Sequence, residues 1–185
     1  MNILLDELPT KIEGIDINSD FRIMIMFELL MQDPKYNDKE KQIQSIPLFY
    51  PNLSQIKDPQ KAITDMLWFY RCGIEIKNIG SNNNSKQIYS YEYDSQYIYS
   101  AFMQQYNIDL QDIDYLHWWK FKAMFENLNE NTKFVEIMGY RNAKLSDFGK
   151  DKKTKEHYAK MQKIYALPDM RTKEQKEADF QNSLW

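Results

Sequence analysis

Residues 115–128 read YLHWWKFKAMFENL. At about 100° per residue, Leu116, Trp118, Trp119, Phe121, Ala123, Met124 and Phe125 point in nearly every direction, whereas an ordinary surface helix is apolar along one stripe. Only Lys120, Lys122 and Glu126 interrupt the wrap, and the lysine stems can lie on apolar surface while their ammonium heads stay wet. A helix from Tyr115 to Leu128 therefore needs neighbours on several sides, and we read it as the hub of a helical core.

Helical signals flank the hub on both sides. Upstream, Ile98, Ala101, Phe102 and Gln105 follow a 3.6-residue period behind Asp94 as N-cap, and Asn107 can adopt the left-handed conformation that stops a helix over Ser95–Tyr106. Tyr89, Tyr91 and Tyr93 alternate as a strand would. Downstream, Thr132 begins a helix through Phe134, Val135, Ile137 and Met138 to Gly139 or Tyr140. A last core helix runs from about Lys150 to Ala166, with Tyr158, Met161, Ile164 and Tyr165 on one face and lysines on the other.

Further out, KIEGIDI over Lys11–Ile17 alternates about Gly14 and predicts a short two-stranded ribbon. A helix from Asp20 to about Gln32, capped by Asn18 or Ser19, is expected to be largely buried. Asp33-Pro34 ends it, because the residue before proline is pushed out of the helical region. Asn37 or Asp38 caps a shorter helix through Ile43 and Ile46 that Pro47 should disturb, and PLFYP should pack down. Asp58-Pro59 is a strong helix start, with Ala62, Ile63, Met66, Leu67 and Tyr70 in a stripe and Gly73 as the closing C′ residue. Residues 78–88, NIGSNNNSKQI, are too polar to offset chain entropy and predict a mobile loop. Beyond Leu167-Pro168-Asp169, residues 170–185 carry charge without an apolar stripe.

The fold class that follows is all-α: one compact multi-helix domain over residues 1–169, with a short N-terminal β-hairpin and a loose C-terminal tail over 170–185. Aromatics at 15% of 185 residues can fill a sizeable core, and only 5 glycines argue against a turn-rich barrel or sandwich. A formal charge of −3 offers no excess positive field for a phosphate backbone, so nucleic acid is not an expected partner. No apolar run approaches the roughly 20 residues that span a bilayer, and no membrane partner is expected. The acidic start MNILLDELP does not read as a signal peptide.

Catalytic chemistry has little to stand on. His117 and His157 lie in no zinc spacing, Cys72 has no motif around it and is read as a buried small apolar residue, and no phosphate-cradling glycine pattern occurs. Asp109, Asp112 and Asp114 lack the glycine and the twelfth-position Glu of a calcium loop, so capping explains them better than a metal. No enzyme activity, catalytic residue, cofactor or metal is therefore expected. HWWKFK has the composition of a base-stacking platform, but its rings fall on a helix apolar all round, which favours core packing. Should one ring of the Trp118-Trp119 pair be exposed, it is the first candidate for contact with a protein partner, because adjacent helix positions point about 100° apart. Phe180 and Trp185 in the tail are further candidates.

Six blocks carry a family resemblance: LLDELP at the N-terminus; DFR at Asp20–Arg22; YEYD-xx-YIYSAF-x-QQY-x-IDL from Tyr91 to Leu110; LHWWKFKA-x-F from Leu116 to Phe125; TKF-x-x-IMGYR from Thr132 to Arg141; and YALPD from Tyr165 to Asp169. Together they resemble the bacteriophage gene-product-fifteen family, short helical proteins of tailed phages and prophages of Gram-positive hosts. The family's gene typically lies among the tail genes just before that of the tape measure protein. The resemblance thus implies a tail assembly chaperone in the host cytoplasm during phage assembly, with the tape measure protein and other tail proteins as partners. The alternative is a structural component kept in the virion tail. Whether the chain forms a homo-oligomer is left open by the sequence.

Overall fold

The computed structural model describes residues 2–75 and 86–169. They form seven α-helices and one two-stranded hairpin, as the sequence predicts, and they separate into two compact units. Among the described residues the first comprises 2–75 with His117–Trp119 and Asp169, and the second 86–116 with 120–168. Residues 76–85 and the tail over 170–185, where a loop and a loose segment are expected, lie outside the described residues.

In the first unit, β1 (Lys11–Ile12) pairs antiparallel with β2 (Ile15–Asp16) across Glu13 and Gly14, both at positive φ as a two-residue hairpin turn requires. Helix α1 (Phe21–Gln32) starts one residue later than expected, because Asp20 is itself the N-cap and accepts from the Arg22 N–H. Helix α1 is covered along most of its length: Phe21, Met24 and Phe27, at a spacing of three, are buried, Met26 is exposed, and the others are half-buried. Helix α2 (Asp38–Phe49) opens with a reciprocal capping box between Asn37 and Glu40. It runs on through Pro47 rather than ending there. The buried rings of Phe49 and Tyr50, packed edge to face with centroids 4.9 Å apart, hold the last turn in place. Tertiary packing thus outweighs one missing backbone donor.

Helix α3 (Pro59–Tyr70) begins where the Asp58-Pro59 signal puts it, with the Asp58 carboxylate accepting from the Gln60 and Lys61 N–H groups. Its end differs by one residue from the expected Gly73 closure. Cys72, at φ +56°, occupies the left-handed position and donates its N–H to Phe69 O; Gly73, also left-handed, donates to Trp68 O. Gly73 has a second reason to be glycine, since a Cβ there would lie 2.9 Å from the Trp119 ring. Cys72 is half-buried rather than buried.

The second unit holds α4 (Ser95–Tyr106), most of α5 (Trp118–Glu126), α6 (Lys133–Asn142) and α7 (Lys152–Ile164). Its core is a run of rings: Phe121 stacks on Phe102 at 5.0 Å, while Phe125 meets Tyr89, Tyr91 and Phe134 at 5.2 to 5.5 Å. Asn107 ends α4 at φ +53°, and Thr132 and Asp151 cap α6 and α7. Tyr89–Tyr93 is not a strand; Tyr91 is buried and Tyr93 exposed in a turn leading into α4. No residue of α7 is fully buried, and Ile164, read as part of its core face, is exposed.

Candidate protein-contact site

The hub helix is shorter than Tyr115–Leu128 because its N-terminal residues make other backbone bonds. His117 forms an isolated antiparallel bridge with Asp20, and the Trp118 N–H donates to Ser19 O. The buried imidazole of His117 then acts as the helix cap: Nδ1 accepts from the Trp119 N–H at 3.1 Å, which leaves Nε2 to donate to Pro9 O, also at 3.1 Å. A side-chain acceptor placed two residues before the N–H it satisfies is the N-cap arrangement, supplied here by histidine. His117 therefore lies outside the helix rather than in it.

Neither indole of the pair is exposed. Trp118 is 0% and Trp119 2% accessible, so the condition under which either could contact a partner is not met. Each ring instead has a structural task that spacing alone did not reveal. The last four carbonyls of α3 have no intrahelical partner. Leu67 O takes the Arg71 N–H, Trp68 O that of Gly73, and Phe69 O that of Cys72. The Trp119 indole adds a bond to Phe69 O at 2.8 Å, and the Trp118 indole reaches Tyr70 O at 2.9 Å. Two tryptophans about 100° apart on one helix thus cap two carbonyls about 100° apart on another. Phe180 and Trp185 lie outside the described residues.

Sequence reasoning missed the strongest polar contact. Asp94 stands at the N-cap position of α4 but makes no side-chain bond to that helix. Its carboxylate accepts two bonds from Arg141, at 2.6 and 2.9 Å, and a third from the Ser90 N–H. Arg141 and Asp94 are 6% and 1% exposed. The guanidinium also donates to Tyr165 O and Ile88 O, and Lys86 donates to Arg141 O. Residues 86–88, assigned to a mobile loop, are therefore tied to α6 at two points. An arginine in the last turn of a helix and an aspartate at the start of another are ordinary end-charge choices, so only their juxtaposition in space marks the pair.

Two further titratable networks lie near the surface. Lys133 holds the Glu136 carboxyl below its usual range, Tyr140 donates to the same carboxylate, and Lys133 lies 5.1 Å from the Tyr165 ring. The Gln111 N–H and the Tyr99 hydroxyl likewise lower Asp109. Among the described residues no three His, Cys, Asp or Glu side chains gather as a metal site would require, and no helix is long and apolar enough to cross a membrane. The surface offers apolar side chains instead. Asn2 and Asp6 close a turn that leaves Leu4 87% and Leu5 82% accessible.

The sequence blocks quoted above meet one another through these contacts. LLDELP reaches LHWWKF through Pro9 and His117, DFR reaches the same block through Asp20, and YEYD joins IMGYR and YALPD through Asp94, Arg141 and Tyr165. The model of the family described as Bacteriophage Gp15 protein matches residues 4–167. The chain belongs to this family. No curated protein and no solved structure matches it. Membership in the Gp15 family makes this a phage-related protein, and the match spans all seven helices and both the indole-capped and the ion-paired site.

Proposed function

We propose that this Gp15 family member is a tail assembly chaperone that binds the tape measure protein of its phage and does no catalysis. The observation that carries the reading is the family match over residues 4–167; the resemblance adds the implied place of the gene beside that of the tape measure protein. The physical requirement is modest. A long helical tape measure protein exposes apolar stripes until the tail tube closes around it, and exposed stripes aggregate. A small helical protein can cover them by side-on apolar contacts and be displaced later. Leu4 and Leu5, held out by their turn, are the most exposed large apolar side chains among the described residues and are the contact we assign to that client.

Co-expression with the tape measure protein of the same phage tests the proposal. The expected outcome is a soluble client that co-purifies with this chain and is lost with Leu4→Ser/Leu5→Ser, while the chain's own melting midpoint is unchanged. A client that stays insoluble sinks it. Mass spectrometry of purified virions separates this role from that of a retained tail component, since a chaperone is missing from finished particles.

A further inference from the structure

Charge is unevenly distributed along the chain. Residues 144–163 hold seven lysines against three acids, a net +4 in a chain of net −3, so the remaining residues sum to −7. On α7, Lys152, Lys153, Lys160 and Lys163 fall within one solvent-facing arc of about 100°. Lys152 has a distant partner in Glu156 at 3.8 Å; Lys153, Lys160 and Lys163 form no ion pair among the described residues. Just past the edge of this arc Ile164 is 58% exposed.

A patch of opposite sign lies between α4 and α5. Asp112 and Asp114 are exposed and form no ion pair among the described residues, and Tyr115, next in sequence, is 52% exposed. Each patch thus joins unneutralised charge of one sign to one large exposed apolar side chain, the combination of a rim and an anchor that protein interfaces use.

We propose that the lysine face of α7 docks on the Asp112–Tyr115 segment of a second copy of this chain. A nucleic-acid backbone fits the face less well. Glu156 is exposed within the same arc and would lie against phosphates that offer it no donor, and the cations are lysines, hydrated point charges without the planar fork that grips phosphate in pairs. Because the two patches differ, a single contact leaves an acidic segment free on one copy and a lysine face free on the other, so the assembly grows past the dimer unless those two free patches also meet and close it. The inference is independent of the chaperone role.

Sedimentation velocity of the full chain over a range of concentrations tests it. At about 50 mM salt the chain should associate, and at about 500 mM, where the screening length is severalfold shorter, association should weaken by roughly tenfold or more. Lys152→Glu/Lys153→Glu/Lys160→Glu/Lys163→Glu should abolish association, and so should Asp112→Lys/Asp114→Lys. Mixing the two variants should restore it, because each reversed patch then meets its complement. All altered side chains are exposed, and an unchanged circular dichroism spectrum checks that each variant folds. A chain that stays monomeric at low salt, an association that either reversal leaves intact, or a mixture that fails to reassociate would overturn the proposal.

Discussion

The two units bury polar groups by different means. In the first, the exposed carbonyls at the end of α3 are met by neutral donors, the indole N–H groups of Trp118 and Trp119. In the second, the ends of α4, α6 and α7 and the segment at Ile88 converge on one guanidinium paired with one carboxylate. A neutral bond that is lost leaves a carbonyl short of one partner, whereas a lost ion leaves its counter-ion buried and uncompensated. The first unit should therefore yield in small steps and the second all at once.

Arg141 gives the largest effect. Arg141→Met strands the Asp94 carboxylate and should cost about 3–5 kcal/mol. Adding Asp94→Leu to it should recover much of that loss, because two apolar groups replace a buried pair. Urea midpoints of both variants decide the matter, and a double variant no better than the single would refute the ionic account. Next, Gly73→Ala puts a Cβ at positive φ and 2.9 Å from the Trp119 ring, which should cost about 2–3 kcal/mol by the same measurement. Trp119→Phe keeps most of the ring contacts but removes the bond to Phe69 O. That carbonyl retains the Cys72 N–H, so the loss should fall at the low end of about 1–3 kcal/mol.

The smallest effect concerns Tyr50, whose hydroxyl donates to Ala62 O at 3.2 Å. Burial, aided by the charge of Asp65, pushes its pKa up to about 12. The folded state then holds this proton more tightly than the unfolded chain does. The associated stability is complete below the ordinary tyrosine range near pH 10 and is lost as pH rises through about 12. Tyr50→Phe should cost about 1 kcal/mol at neutral pH. It should also make the decline of the urea midpoint between pH 10 and 12 shallower than in the parent chain; parallel declines would show that Tyr50 does not contribute.

Local chemistry was readable wherever one residue and its near neighbours suffice. Asp58 with Pro59, Asn37 (one of the two caps the sequence offers there), Thr132 and Asn107 each satisfy or end a helix through atoms within four residues, and all appear where the sequence places them. The hairpin about Gly14 belongs with them. Pro47 and Ile164 were misread because burial by neighbours distant in sequence, or its absence, outweighs a local preference. The exposed ring on which a contact at the tryptophan pair was conditioned is absent for the same reason: ring burial depends on what stands opposite.

What the sequence by itself determined was the helical class, most helix ends and the family, since these depend on period, on caps and on six blocks of residues in order. Only the tertiary structure decided that two indoles cap α3 and that Asp94 leaves its own helix for Arg141. Those bonds join residues about 50 positions apart, and a hydrogen bond at that separation has no period and no spacing rule to announce it.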